Sequence, residues 1–245
     1  MSYNRDKLTK YSLLAKSPVL FSALPKTRSM TKRHFRSLIK RYDKVIVKPS
    51  GGSGGVGVIS VSSKGRKRFK IHHGTKKKTI SGLSPAYSYI RRKTKGASYI
   101  AQRKIALARV NGRPFDARVM VQRKKGSGWV LTGKLAKIAG AGYIITNIAR
   151  SKGEVVPLSA AIRKSDIHGA SVSRIQSRMD RIALRTAEQL RKYYRIRTLG
   201  LDAGIDRNGK VWIIEANFSP SKSLFLKLRD KSMYKRIVGF HKKRS

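Results

Sequence analysis

Eleven acidic residues stand among 245, and only Glu154, Glu188 and Glu215 are glutamates. Three acids, Asp202, Asp206 and Glu215, fall within one stretch, LGLDAGIDRNGKVWIIEANFSPS. Asn208-Gly209 between two strand-like runs signals a two-residue hairpin turn. That turn pairs Arg207 with Lys210, Ile205 with Trp212, and Asp202 with Glu215. Leu201, Ala203, Ile205, Trp212, Ile214 and Ala216 then share an apolar face, and Gly200, Asp202, Gly204, Glu215 and Asn217 the other. Carboxylates opposed at roughly 5 Å between Cβ atoms repel unless a cation lies between them. Asp202, Glu215 and the Asn217 amide oxygen are hard donors suited to Mg²⁺, which also takes phosphate oxygens and water. A longer turn would set Asp202 diagonal to Glu215; the alternative to a metal site is two exposed acids on a basic protein. Asp206 is expected at the turn, where Asp makes local hydrogen bonds.

A second stretch, VIVKPSGGSGGVGVISV, sets Lys48 at the end of one apolar run, with a glycine loop and another apolar run after it. The loop satisfies G-x-G-x-x-G, but β-branched, alternating residues follow where a dinucleotide site needs a helix. No Gly-Lys-Ser/Thr closes it, so a Walker A loop is excluded, and no H-R-D or D-F-G accompanies it. The surviving reading is a glycine loop between antiparallel strands. Backbone N–H groups of Gly51, Gly52, Ser53, Gly54, Gly55 and Gly57 can close over a polyphosphate there, with Lys48 reaching the same phosphates. The alternative is a plain hairpin tip. Phosphate loop, lysine and a carboxylate–carboxylate–amide metal site together describe ATP-dependent phosphoryl chemistry.

The elements that must position these groups follow from periodicity. A basic helix is predicted over Met30–Arg41 and a buried strand over Lys44–Lys48. Short strands are expected at 56–62, 66–71 and 76–80, and a helix at Ser84–Lys93. Residues 98–137 read as strands, Val172–Arg195 as the longest helix, Leu199–Ile205 and Lys210–Asn217 as the closing hairpin, and the end as a basic tail. Strands and helices mix without βαβ regularity, which points to an α+β fold with antiparallel sheets. The expected division is a segment 1–42 with the basic helix, a small subdomain 43–105 with the glycine loop, and a large subdomain 106–245 with the metal hairpin and tail.

Composition narrows the partners. Fifty-eight Lys and Arg against eleven acids give +47, a field that calls for a polyanionic partner: acidic polymer, cell-wall polymer or nucleic acid. With no cysteine there is no disulfide, thiol nucleophile or thiolate site. The five histidines are scattered, and His72-His73 lacks nearby carboxylates, so no metal role is assigned to it. No membrane span or signal peptide is read, and a cytoplasmic location is expected.

These residues resemble the ATP-grasp superfamily, and within it the YheC/YheD branch of endospore coat-associated proteins. The resemblance is carried by Asp6-Lys7-Leu8, Leu24-Pro25-Lys26-Thr27, Val47-Lys48-Pro49 with the loop, Phe115-Asp116-Ala117-Arg118-Val119, Thr146-Asn147, and Leu201-Asp202 through Glu215-Ala216-Asn217-Phe218-Ser219-Pro220. It implies ATP enclosed between two α+β subdomains. Lys7 and Lys48 would touch phosphates under the Gly51–Gly57 loop, and the strand YIAQRKIAL would meet adenine near Gln102 and Ile105. Arg118 would meet a phosphate or the acyl-phosphate, while Asp202, Glu215 and Asn217 would hold Mg²⁺. The superfamily's arginine two residues before the aspartate is Gly200 here. The chain starts almost at Lys7, so the usual N-terminal substrate-side domain is expected to be missing.

Three functions follow. The first is an ATP- and Mg²⁺-dependent carboxylate–amine ligase, with Arg118 and Lys48 as its catalytic cations and an acidic substrate. The second is a nucleotide-binding structural protein of the spore coat with little turnover. The third is a basic nucleic-acid-binding protein, for which Arg66-Lys67-Arg68, Lys76-Lys77-Lys78, Arg91-Arg92-Lys93, Arg123-Lys124-Lys125 and Lys242-Lys243-Arg244 supply charge. Tyr87, Tyr89 and Tyr99 could stack on bases, but core packing is the stronger reading.

Overall fold

The structure, a computed structural model, describes residues 5–52, 54–143, 146 and 148–241, without the side chains of Ala149 and Arg150. Ser53, Asn147 and the run Lys242-Lys243-Arg244 lie outside the described residues.

The chain opens with helix α1 (Lys7–Ala15), α2 (Pro18–Phe21), strand β1 (Thr27–Ser29) and α3 (Lys32–Tyr42). Then come β2 (Lys44–Pro49), β3 (Ile59–Ser63), β4 (Arg68–His73), β5 (Lys76–Ser81), α4 (Leu83–Lys93) and β6 (Tyr99–Arg103). The second half holds β7 (Arg109–Val110), β8 (Arg113–Gln122), β9 (Val130–Ile138), α5 (Ile148–Ser151), β10 (Glu154–Pro157), α6 (Leu158–Arg163) and α7 (Val172–Arg191). It ends with β11 (Thr198–Ile205), β12 (Val211–Asn217), a 3-10 turn at Ser223–Lys227 and α8 (Ser232–Gly239).

Two antiparallel sheets result. The small one runs β1-β6-β2-β3-β4-β5, the large one β10-β9-β8-β11-β12 with β7 beside β8. In β2, β3 and β4 alternation buries Val45, Val47, Ile59, Val61, Phe69 and Ile71 against α3 and α4, through Phe35, Leu38, Ile39, Ala86 and Ile90. Thr31 caps α3 by accepting from the His34 N–H, which is why the helix starts at Lys32. Tyr87, Tyr89 and Tyr99 pack against this core, as core packing required.

The large sheet buries Phe115, Ala117, Val119 and Val121 of β8 against α7, whose Ile175, Met179, Ile182, Ala183, Ala187 and Leu190 form its apolar stripe. Leu13, Leu14, Leu20 and Leu24 of the first segment join that core, whereas Met30 joins the small one. The C-terminal stretch read as a basic tail contains α8, whose Ile237 packs with Phe225 on Met120 and Leu135. α8 thus covers part of one face of the large sheet and leaves Asp116, Arg118 and Lys137 open to a cleft. Among the described residues, no helix is long and apolar enough to cross a membrane.

The expected strand from Val56 begins only at Ile59, because Gly54, Gly55 and Gly57 all adopt positive φ. The closing hairpin departs from its expected turn. Asp206 to Gly209 form a turn closed by the Gly209 N–H to the Asp206 carbonyl (2.9 Å), with Gly209 at φ 73°. Asp206 Oδ1 also accepts from the N–H groups of Asn208 and Lys210, as expected of an aspartate at a turn. Ile205 therefore pairs with Val211 rather than Trp212. A bulge between Asp202 and Ala203 then restores the pairing of Asp202 with Glu215. Between turn and bulge the faces are exchanged: Val211 and Ile213, not Trp212 and Ile214, join Ala203 and Ile205 in the core.

Candidate functional site

A cleft of about 1100 Å³ separates the two sheets. Lys48, Gly54, Gly55, Gln102, Ile105, Arg118, Asp202, Glu215 and Asn217 all line it. The sequence-predicted residues thus converge from both halves of the chain.

At one end Asp6 caps α1, accepting from the N–H groups of Leu8 (2.7 Å) and Thr9 (2.9 Å), and Ser50 donates to the same oxygen (3.2 Å). This fixes Lys7 beside the glycine loop. Its Nζ donates to the carbonyls of Gly51 (3.1 Å) and Gly52 (2.7 Å) and stands 3.5 Å from Glu215 Oε1. Lys48 is buried beneath, with Nζ 3.3 Å from the Ile214 carbonyl. Burial pushes its ammonium down to about 8, against the pull of the Glu215 charge. Lys10, one turn after Lys7 and assigned no role from sequence, is also buried and donates to the Ala216 carbonyl at 2.6 Å. Lysines at i and i+3 of a capped helix were the signal that could have found it.

The second group lies on the large sheet. Arg118 of β8 holds Asp202 in a fork, Nε to Oδ1 at 2.9 Å and Nη2 to Oδ2 at 3.1 Å. Lys137 of β9 donates to Asp202 Oδ1 at 2.8 Å and lies 3.1 Å from Asp116 Oδ1, while Thr146 donates to Asp116. The Asn217 amide donates to Asp202 Oδ2 at 3.2 Å. Burial opposes the charge on Asp202, but Lys137 and Arg118 hold its carboxyl well below the usual range. Burial dominates at Asp116 and raises its carboxyl. Register explains the cluster: β11 pairs Asp202 with Arg118, and β8 pairs Asp116 with Lys137. Asp116 and Lys137 escaped the sequence reading, although D-x-R on a strand already puts Asp116 and Arg118 on one face.

Where position 200 carries no arginine, Arg118 of β8 reaches Asp202 from the neighbouring strand. A side chain at Gly200 would run into Pro220, with Arg118 Cδ 3.5 Å away. Near the end of β6, Gln102 commits its amide to Thr27 Oγ1 at 2.8 Å, and Ile105 is half-buried on the cleft wall.

Asp202, Glu215 and Asn217 fit a hard cation by donor type, with Asp202 and Glu215 paired directly across the strands. Asp202 is already saturated by Arg118, Lys137 and Asn217, whereas Glu215 has Lys7 as its ion-pair partner at 3.5 Å among the described residues and is the more available carboxylate.

The model of the family described as YheC/D like ATP-grasp matches residues 2–241. The endospore coat-associated protein YheD of Bacillus subtilis (strain 168) is 28% identical over 227 residues, covering 90% of this chain and 49% of YheD. The chain therefore spans about half the length of that relative. Among solved structures, D-alanyl-alanine synthetase A of Vibrio cholerae superposes with a TM-score of 0.54 at 11% identity, over 98% of this chain and 60% of that one. The ADP complex of N5-carboxyaminoimidazole synthetase from Staphylococcus aureus gives 0.52 at 12% identity, over 96% and 50%. At such identities the likeness shows the fold: two α+β halves with antiparallel sheets, as in ATP-grasp proteins.

Proposed function

The chain belongs to the YheC/D-like ATP-grasp family, and on that premise we propose that it binds ATP with Mg²⁺ and acts as a carboxylate–amine ligase. The observation that carries this reading is the meeting of Lys7, Lys48 and Glu215 beneath the glycine loop. Three buried or half-buried ammonium groups, Lys10 included, surround that one carboxylate and leave surplus positive charge for a triphosphate. The base would lie toward Ile46, Gln102 and Ile105. Asp202, Glu215 and Asn217 would hold the metal, which neutralises charge on the phosphates when bound.

The reaction that the resemblance implies has two steps. A substrate carboxylate oxygen attacks the γ-phosphorus, the β–γ bridging bond breaks, and ADP leaves with an acyl-phosphate remaining. An amine nitrogen then attacks the acyl carbon, phosphate departs, and the nitrogen loses its proton to give an amide. Arg118, anchored on Asp202, would meet the transferred phosphoryl oxygens. The two sheets and the loop keep water from the acyl-phosphate.

The surplus charge of the chain extends the reading to a polyanionic substrate or partner. The name of the relative YheD suggests the spore coat as its setting. A reading with little turnover has one observation in its favour: both oxygens of Asp202 are already held by cations.

Calorimetry with ATP, with and without Mg²⁺, on wild type and Glu215→Ala is the test. Mg²⁺-dependent binding lost in the variant supports the site, and ADP release coupled to amide formation separates ligase from carrier. No binding by wild type overturns both.

A further inference from the structure

From Lys44 to Phe115 the chain has no Asp or Glu, yet it has eighteen Lys and Arg. Part of this charge is gathered on the cleft side of the small sheet, away from Lys48. The face opposite the buried valines of β2 carries Lys44, Ile46 and Lys48, so Lys44 lies about 13 Å along the strand from the lysine assigned to phosphates. Register sets Lys44 beside Ser62 and Ser62 beside Lys70, a row crossing three strands in about 10 Å. The next row sets Ile46, Ser60 and His72 side by side. Lys104, just past β6, donates to Ser60 Oγ at 2.8 Å and hydrogen-bonds through its N–H to the Lys44 carbonyl. All of these line the cleft.

Two features set this face apart from a solvated basic surface. Lys104 is driven below the usual lysine range by burial and by Lys44 and Arg109, and no carboxylate in the small sheet offsets them. Nε2 of His72 is buried and lacks a hydrogen-bond partner among the described residues. Burial, with Lys77, Lys104 and Lys70 around it, holds that imidazole below its ordinary range and hence neutral near pH 7. Ammonium and hydroxyl groups converging without an acid beside them make a donor set for a tetrahedral oxyanion, which accepts from several directions.

We propose that Lys44, Ser62, Lys70 and Lys104, with His72 beside them, form an oxyanion subsite that receives phosphate groups of a linear phosphate-bearing polymer. It lies at the opposite end of the cleft's small-sheet wall from the nucleotide phosphates. The alternation of lysine and hydroxyl across the strands suits successive charges on one chain better than one small anion. This deepens the polyanion reading given above and does not depend on ATP binding.

The test is titration of the full chain with long-chain polyphosphate at physiological salt. It compares wild type, Lys44→Ala/Lys70→Ala and, as a charge-matched control on exposed α3, Lys32→Ala/Arg33→Ala. Thermal unfolding verifies that each is folded, and ATP binding is measured on the same samples. The first double variant should bind polyphosphate about tenfold or more weakly, the control less than about threefold, with ATP binding unchanged in both. Equal losses in the two variants would make the effect a diffuse field and overturn the subsite. Polyglutamate of matched charge binding as tightly, with the same Lys44/Lys70 dependence, would overturn the phosphate class. Orthophosphate matching the polymer would overturn the polymer. Failure of ATP to bind, with the Lys44/Lys70 effect intact, would remove the nucleotide reading alone.

Discussion

Lys7 and Glu215, 208 positions apart in the sequence, stand 3.5 Å apart, and the same Lys7 ammonium holds the Gly52 carbonyl at 2.7 Å. One side chain thus ties the first helix, the glycine loop and the closing hairpin together. Its partners are weak substitutes for a phosphate: two backbone carbonyls and a carboxylate beyond hydrogen-bond distance. An anion entering the loop would replace these contacts with charge-assisted ones.

Lys7→Ala should therefore loosen the loop before it harms the fold. Amide exchange at Gly51–Gly57 should quicken while the large-sheet core stays protected, and ATP should bind about tenfold or more weakly. Exchange measured by mass spectrometry checks this, and unchanged loop protection would refute the tether.

On the proposed reading, in which the Lys48 ammonium meets the phosphates, nucleotide affinity should depend on pH. Burial brings that group down from 10.5 to about 8. ATP affinity should be full below about pH 8 and fall as pH rises through it. Stability of the ligand-free chain moves the other way. Between about 8 and 10.5 the unfolded lysine still carries a proton that the folded one has lost, so the unfolded state binds more protons and this group's contribution rises with pH. Calorimetry across that window should show proton uptake on ATP binding at pH 8. A Lys48→Arg chain that keeps the wild-type profile would assign the effect elsewhere.

The pairing of Asp202 with Glu215 was legible from sequence for a reason that was only half right. The turn is longer than Asn208-Gly209 implied, and the bulge beyond Asp202 returns the register. A single sequence gives no sign of a bulge at Asp202/Ala203, which is why Trp212 and Ile214 were assigned the face that Val211 and Ile213 occupy. Periodicity did reveal α3, α7 and the strands β2, β3 and β4, since each buries one face, whereas the three-residue β1 went unread. Helix α8 went unread because its eight residues bury Ile237 alone. The Arg118–Asp202–Lys137 cluster was out of reach for another reason. It needs the order of β9, β8 and β11, which no local pattern encodes.

That cluster should dominate the cost of disturbing the site. Asp202→Ala leaves Arg118 without its carboxylate in a buried position and Lys137 with Asp116 alone. A loss of about 3–5 kcal/mol is expected in urea unfolding. Adding Arg118→Met should recover part of it, because the uncompensated charge goes. With the carboxyl of Asp202 held below its ordinary range, its stabilising contribution is complete above about pH 4 and disappears as acid protonates it. Additive losses in the double variant would sink the coupling.

Gly57 and Tyr99 give the last prediction. Gly57 sits at φ 70°, and a Cβ there would stand 2.5 Å from Tyr99 Oη and 3.2 Å from Pro49 Cγ. Gly54 shares the backbone conformation, at φ 76°, but a Cβ there meets nothing within 4 Å. Gly54→Ala should cost only the left-handed backbone, about 1–2 kcal/mol locally. Gly57→Ala should cost more, since the phenol must leave its place against the small-sheet core. Tyr99→Phe removes the oxygen responsible, so Gly57→Ala/Tyr99→Phe should approach the Gly54→Ala value when each is compared with its own parent. Thermal unfolding and loop exchange for wild type and the four variants, Tyr99→Phe included, measure this directly. Equal costs for Gly54→Ala and Gly57→Ala would mean that the loop, not the tyrosine, gives way.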